Sequence, residues 1–483
     1  MLNQLLSKQH KRQFEIVNML MSSATPTTTE FANQLKTTRQ TIQTDIDELN
    51  AVITPHIIVQ VDNQWQLIAS AKLSLTSIHS QILSQSLSFN ILETIFLGNV
   101  TTQQELLESA LTSQATLYRE IKNINAILNP LNIHLNTRKL IIEGDEFKVR
   151  SFFFQYFFEK YEFASVFVPD IELETFDKLI TTFSKNNNVY FNQADLSFME
   201  YNKLCILLKV SIQRLQQGYH IDLPGQATFT VDLDANLERE FFYNFKIPLS
   251  AKTYSEIFGL FYNQYYVVTI DALNHLCNID AKYATLVDSI KQLISFVAEQ
   301  PNIELTNQDD LLIALFNAVQ AKDFIQFILL DKIGQFIATA QFENHRLFTD
   351  IVVKITELIA PGDCEESQLV GSLMYELIIN CDSLYHELKH VTELQNLHIG
   401  FILNLPTNHI NLLISDLQAM LPDAKLTVLN NLSLPALIKE SAEFDVVVSN
   451  LHGLASQIHA PLLSLTTVYQ FLNQSISESI FNA

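Results

Sequence analysis

The chain is poor in the residues that build tight turns, with 10 Gly and 12 Pro among 483 residues. That scarcity argues against a glycine-rich nucleotide loop and against a many-turned β architecture, and favours helices. Its four cysteines, Cys205, Cys277, Cys364 and Cys381, stand far apart with no CxxC pair. A disulfide framework and a cysteine metal cluster are therefore not expected, and reduced thiols are. No run approaches the roughly 18 uninterrupted apolar residues of a membrane span. The opening MLNQLLSKQHKRQF carries its positive charge after its apolar residues, the reverse of a secretory leader. These absences predict a soluble cytoplasmic protein with no membrane partner. Metal-spaced clusters and a nucleophile elbow are missing too, so neither enzyme activity nor a cofactor is expected.

Core-forming material is abundant. Hydrophobic residues make up 48% of the chain and charged residues 17%, a globular composition. At roughly 150 residues per domain the length predicts three to five units. The net charge of −22 opposes nucleic-acid binding when taken whole. It is unevenly spread, however. Residues 1–150 hold 12 Lys+Arg against 13 Asp+Glu, whereas residues 151–483 hold 18 against 39. The first third is nearly neutral, and local basic faces can form there.

That first third contains an internal duplication at an offset of 75 residues, TTTEFANQLKTTRQTIQTDIDELNAVI from Thr27 and TTQQELLESALTSQATLYREIKNINAIL from Thr101. Phe31 meets Leu106, Leu35 meets Ala110, Thr38 meets Ser113, Ile42 meets Leu117, Asp45 meets Glu120, Ile46 meets Ile121 and Asn50 meets Asn125. Apolar positions recur every three or four residues in both copies, the period of an amphipathic helix. Each copy reads as a short helix, a turn and a second helix opened by an N-cap hydroxyl, Thr38 or Ser113. A candidate hairpin follows each: His56–Ala69 around Asp62-Asn63, and Asn132–Gly144 around Thr137-Arg138. At the same offset Trp65 falls on Leu140 and Leu67 on Ile142. The pattern predicts two winged-helix modules.

A helix fits the major groove of DNA, and its N-terminal residues reach the base edges while the preceding helix crosses the backbone. In the first copy the predicted reading face is Arg39, Gln40, Gln43 and Thr44, with Lys36 in the turn. In the second it is Gln114, Ala115, Tyr118 and Arg119, followed by Lys122. Arginine can donate twice to guanine and glutamine can pair with adenine. Arg138 and Lys139, at the second wing tip, suit phosphate contact, whereas Asp62 at the first does not. The competing reading of the same helix pairs is core packing alone.

The tandem modules, the segment FKVRSFFFQYFFEKYEF after the second wing and the acidic helical middle together resemble the Mga/AtxA-like family of global transcriptional regulators. The register TTRQTIQTDIDELN followed by a wing is the most specific part, and the resemblance covers essentially the whole chain. It implies two DNA-binding modules (1–72 and 73–165), two helical PTS-regulation-like bundles (166–298 and 299–394) and a C-terminal EIIB-like α/β domain (395–483). The fold class expected is thus mostly α with winged-helix β-ribbons and a small α/β end. The partners implied are double-stranded DNA, further copies of the chain in a homodimer or higher homo-oligomer, RNA polymerase and phosphocarriers of the phosphotransferase system.

Residues from about Asp170 to Leu394 show helical periodicity, with loops expected at 220–225, 300–307 and 361–366. Tyr201–Pro224 resembles the first helix of a PTS-regulation domain, with Arg214 and Gly218 as its marks, and Leu305–Phe324 would open the second. Two departures stand out. The family's usual histidine falls on Leu207, and the second domain also begins without one. The remaining candidates for phosphorylation are His275, His345, His386 and His390; His275 lies among apolar residues and reads as a core group. His386 and His390, one helical turn apart, lack a third metal ligand. Phe152–Phe158 predicts a helix hydrophobic all round, buried between reader and bundle.

After Leu394, strands at 397–405, 425–431 and 444–450 alternate with helices at 407–421 and 465–480, a small parallel sheet. An EIIB domain carries a phosphorylated cysteine after its first strand, but Asn404 stands at that place here, so phosphotransfer by that route is impossible and self-association is the expected use. The leading reading is a DNA-binding transcriptional regulator. Its rivals are a carbohydrate-operon activator under phosphotransferase control and a protein-interaction scaffold.

Overall fold

The computed structural model describes residues 2–21, 26–52, 58–67, 75–161, 163–187, 198–221, 232–264, 267, 269–340, 342, 344–362, 367–389, 398–421, 424–429, 434–451, 458 and 460–465. The first elements are α1 (Lys8–Met21), α2 (Thr28–Gln34), α3 (Arg39–Val52), β1 (Ile58–Val61), β2 (Gln64–Leu67), α4 (Leu75–Gln85), α5 (Leu87–Phe96), α6 (Gln103–Ser109), α7 (Gln114–Leu128), β3 (Ile133–Asn136), β4 (Ile141–Gly144) and α8 (Glu146–Lys160). Helices follow: α9 (Ala164–Phe167), α10 (Asp170–Asn187), α11 (Phe198–Gln216), α12 (Ala235–Phe245), α13 (Ala251–Ile257), α14 (Gly259–Gln264), α15 (Ile270–Ile279), α16 (Ala281–Ala298), α17 (Gln308–Gln320), α18 (Lys332–Thr339), α19 (His345–Leu358), α20 (Gln368–Ile379) and α21 (Asp382–Lys389). The chain then alternates β5 (His398–Ile402), α22 (Thr407–Met420), β6 (Lys425–Val428), α23 (Leu434–Glu440), β7 (Val446–Ser449) and β8 (Leu462–Ser464). Among the described residues no helix is long and apolar enough to cross a membrane.

The chain divides into two compact units. One comprises Met1–Ala298, Thr306–Ala338 and Lys354–Asn380; the other comprises Glu299–Leu305, Thr339–Val353 and Cys381–Ala483.

In the first unit a continuous apolar core runs from Leu2 to Leu329. Helix α8 lies within it and packs against α4, β4, α11 and α14. Its aromatic run is buried as the sequence predicts. Phe153 stacks on Phe96 at 3.9 Å between ring centroids, Tyr156 on Phe89 at 5.2 Å and Phe157 on Phe167 at 4.2 Å. Such pairs add roughly 0.5–1.5 kcal/mol each beyond the burial of their area. The helix is not apolar throughout, because Arg150 and Glu159 are buried on it as well. Both are hydrogen-bonded, Arg150 through all three of its nitrogens and Glu159 through both oxygens, without which a buried charge would be strongly destabilising.

In the second unit β6, β5, β7 and β8 form a parallel sheet in that order. Phe401, Ile410, Leu413, Leu417 and Val448 pack on one face, and Ile402, Leu429, Phe444 and Val447 on the other. A sheet covered on both faces needs continuous apolar strands, which is why the runs at 397–405 and 444–450 are legible. Gly400 sits mid-strand where an added Cβ would come within 3.0 Å of Leu429. The three-residue strand β8 has no counterpart among the sequence predictions; the helix predicted at 465–480 lies outside the described residues, apart from Leu465. The loop after β5 is closed by an asparagine pair. Asn404 N donates to Asn450 Oδ1 at 2.8 Å, and the Asn450 amide donates back to the Asn404 carbonyl.

Candidate nucleic-acid interface

The two copies of the duplication build the same local structure from equivalent residues. Thr27 and Glu30 form a capping box at α2, and Thr102 and Glu105 form one at α6. Backbone N–H groups of Thr27 and Thr101 hold the Glu30 and Glu105 carboxyls below the usual range. The turn between the helices passes through a left-handed residue in both copies, Lys36 at φ 49 and Leu111 at φ 47. Thr38 then accepts from Thr41 N at 3.1 Å and Ser113 from Thr116 N at 3.2 Å, each starting the second helix. Ile42, Ile46 and Leu49 bury the inner face of α3, and Leu117, Ile121, Ile124 and Leu128 bury that of α7.

Both hairpins form. Strand β1 pairs with β2 through a turn with Asp62 and Asn63 at φ 49 and 64, and β3 pairs with β4. Each is bolted to the second helix by one amide. Asn50 donates to the Ile58 carbonyl at 2.7 Å and accepts from Ile58 N at 3.1 Å; Asn125 does the same with Leu135 at 3.0 and 2.8 Å. A strand residue bonded at both N–H and C=O cannot rotate, so the hairpin angle is set by the helix. Further ties differ between the copies. Trp65 Nε1 donates to Thr28 Oγ1 at 2.9 Å, whereas Gln103 holds the Thr137 carbonyl at 3.2 Å. Gly144, at φ 144, closes the second hairpin where a Cβ would lie 1.9 Å from the Asn132 carbonyl oxygen.

The outer faces carry the predicted groups. Lys36, Arg39, Gln40 and Thr44 are exposed and Gln43 is half-buried; Gln114, Ala115, Tyr118, Arg119, Lys122, Arg138 and Lys139 are exposed. Lys36, Arg39, Arg119, Lys122 and Arg138 make no ion pair among the described residues, and Lys139 approaches Glu143 at 3.5 Å. The reading groups are not equally available. Gln43 donates its amide to Asp47 at 3.0 Å and Thr44 its hydroxyl to the Gln40 carbonyl, which leaves Arg39 and Gln40 as the outward pair on α3. On α7, Tyr118 keeps 74% of its surface exposed beside Arg119.

Three arginines that sequence reasoning passed over, or took only as family marks, are held in ion pairs. Arg12 on α1 clamps buried Asp45 at 2.7 and 3.2 Å, while at the equivalent carboxylate of the second copy Ser88 on α5 donates to Glu120. Glu146, the first residue of α8, receives Arg150 Nε at 2.8 Å and Arg214 Nη2 at 2.7 Å. Arg214 also donates to the carbonyl of Ile142 in β4 at 3.1 Å and stacks 3.7 Å from the Tyr219 ring centroid. Arg150 reaches the carbonyls of Glu256 and Tyr219. The second hairpin is thus tied through ion pairs to the end of α11. Burial pulls the Arg150 guanidinium down and Glu146 opposes it. The sequence signal for the Asp45 and asparagine contacts is that Asp45/Glu120 and Asn50/Asn125 stay polar at matched positions of an otherwise apolar pattern.

The histidine candidates scatter. His275 is exposed on α15, which corrects its reading as a core group, because this short amphipathic helix buries Leu273 and leaves the imidazole on its outer side. His345 is exposed at the start of α19 and His386 on α21; His390 lies outside the described residues. No cluster able to hold a metal forms among the described residues. Leu207, at the family's histidine position, is buried.

Comparison with known proteins agrees with this geometry. Residues 71–157 match the Mga helix-turn-helix domain and residues 12–63 match a helix-turn-helix domain. The chain is 22% identical over 464 residues to a protein of Streptococcus pneumoniae named as a trans-acting regulator, covering 92% of each. It is 22% identical over 255 residues to a Bacillus subtilis protein named as a licABCH operon regulator, covering 48% of this chain and 38% of that one. It is 20% identical over 221 residues to the capsule synthesis positive regulator AcpB of Bacillus anthracis, covering 45% of each. The two matched segments hold the two helix pairs, and the matches are consistent with the Mga/AtxA-like helix-turn-helix regulators that the sequence resembles.

Proposed function

We propose that this protein regulates transcription by binding double-stranded promoter DNA through two winged helix-turn-helix modules, residues 1–72 and 73–165. One observation carries the reading. In each copy an exposed arginine with no ion-pair partner among the described residues stands on the outer face of the second helix, Arg39 at the start of α3 and Arg119 in the second turn of α7, while Arg12, Arg150 and Arg214 are held in ion pairs. An unpaired cation on a rigid helix face needs no rearrangement to meet a polyanion. Lys36, Gln40, Gln43 and Thr44 would complete the first reading face; Gln114, Tyr118 and Lys122 the second; Arg138 and Lys139 would hold phosphate.

Two helical regulatory domains (166–298 and 299–394) would relay a signal, and the α/β domain (395–483) would join two copies. Each reading helix offers few base-reading groups, so a dimer on spaced half-sites supplies affinity that one copy lacks. RNA polymerase would be recruited at the promoter. Exposed His275, His345 and His386 are the groups that a phosphocarrier could reach.

Binding of the full chain to genomic fragments across a salt series tests the reading. Arg39→Ala and Arg119→Ala should each weaken binding by roughly 1–3 kcal/mol if the side chain reads a base, or lower the salt slope by about 1 if it holds phosphate. Unchanged affinity and slope in both variants would remove the reading face.

A further inference from the structure

The two copies of the helix pair differ on the side that faces outward. At the offset of 75, Lys36 meets Leu111, Gln40 meets Ala115 and Gln43 meets Tyr118. Each exchange puts an aliphatic or aromatic side chain where the first copy has a polar one, and none of the three is buried. Leu111 is 92% exposed, Tyr118 is 74% exposed, and Ala115 is exposed as well. Leu111 also holds the left-handed φ of 47, which a leucine adopts only at a cost. Packing therefore explains neither its place nor its side chain. The inner face of α7 is filled by Leu117, Ile121, Ile124 and Leu128, so these apolar groups belong to the outer side of the helix.

Ala115 and Tyr118 are three positions apart and share one face of α7, and Leu111 precedes them in the turn. Cations border them. Arg119 and Lys122 stand one helical turn beyond Ala115 and Tyr118, exposed and without an ion pair among the described residues. The carboxylates on the preceding helix α6 are engaged within it, Glu105 in its capping box and Glu108 with the Gln104 amide at 2.8 Å. An apolar strip with a cationic border fits a surface that is apolar along its middle and anionic at its edges. The major groove is such a surface where thymines line it, since thymine projects a methyl group between the two rails of phosphate.

We propose, resting on the DNA-binding reading, that the second module recognises thymine by its 5-methyl group, with Leu111, Ala115 and Tyr118 making the contact. The first module reads hydrogen-bonding groups through Arg39 and Gln40, so the two copies take different base chemistry.

DNA containing deoxyuridine in place of thymidine provides the test, because uracil keeps the pairing edge and lacks the methyl. A genomic fragment bound by the full chain is compared with its uracil copy across a salt series. Each methyl lost should weaken binding about fourfold, the worth of one buried CH2 group, and the loss of several should weaken it roughly tenfold or more. Leu111→Lys with Ala115→Gln and Tyr118→Gln installs the residues of the first copy. All three sites are exposed, and Lys36 shows that lysine accepts the left-handed turn. That triple variant should keep salt-dependent binding and hold the two fragments within about threefold of each other, less than one methyl is worth. Equal binding of both fragments by the wild type would overturn the proposal. So would a tenfold preference that persists in the triple variant, which would trace the effect to the shape of the methylated duplex. Salt-dependent binding survives in both of those outcomes, whereas its absence on either fragment would overturn the DNA-binding reading itself.

Discussion

Replacing Glu146 with alanine removes the one carboxylate that two buried guanidinium groups share. Arg150 is fully buried and the Arg214 side chain is 1% exposed; Glu146 itself is 11% exposed. Breaking a buried ion pair by deleting one partner costs about 3–5 kcal/mol, because the other charge stays desolvated. Here each arginine keeps other contacts: Arg150 its two carbonyls, Arg214 the Ile142 carbonyl and the Tyr219 ring. The loss should therefore fall in the lower part of that range, about 3–4 kcal/mol. Unfolding of so long a chain is not two-state, so the quantity to follow is the calorimetric transition of the first unit. A fall of roughly 4–5 °C is expected for a unit of this size. Arg214→Met in the Glu146→Ala background should cost less than in the wild type, since the double variant no longer buries that unpaired charge, and the coupling should exceed about 1 kcal/mol. A Glu146→Ala protein within about 1 kcal/mol of wild type, or strictly additive effects, would refute the reasoning.

Asn50→Ala and Asn125→Ala each leave a strand N–H and C=O without their bonds, and each should destabilise its module by about 1–3 kcal/mol in thermal unfolding. Asn125→Asp, which keeps the acceptor and loses the donor, should fall between alanine and wild type. His79 is fully buried against Phe14, and burial alone lowers its pKa to about 4. The folded state thus binds fewer protons than the unfolded one below pH 6.5. The stability from this group is complete above pH 6.5 and drains away as pH falls towards 4, roughly 3 kcal/mol in all. His79→Phe should flatten stability over that window, and an unchanged pH profile would show that another group is responsible.

The local elements and their repetition are legible from the amino-acid order alone. Apolar spacing, cap hydroxyls and matched residues at an offset of 75 specify two helix pairs with hairpins, since helix period and capping are properties of neighbours in the chain. The apolar β-branched runs after residue 397 likewise announce a covered parallel sheet. What composition could not reveal is the fate of each charge. Arg39 and Arg214 look alike in a charge count, yet one is exposed on a helix face with no ion pair among the described residues and the other is enclosed by residues 68 to 72 positions away in sequence. His275 shows the same limit: its sequence neighbours are largely apolar, yet on α15 only Leu273 is buried and the imidazole stands exposed. Only tertiary packing decides whether a charge faces water or a partner, because desolvation depends on groups that chain proximity does not bring together.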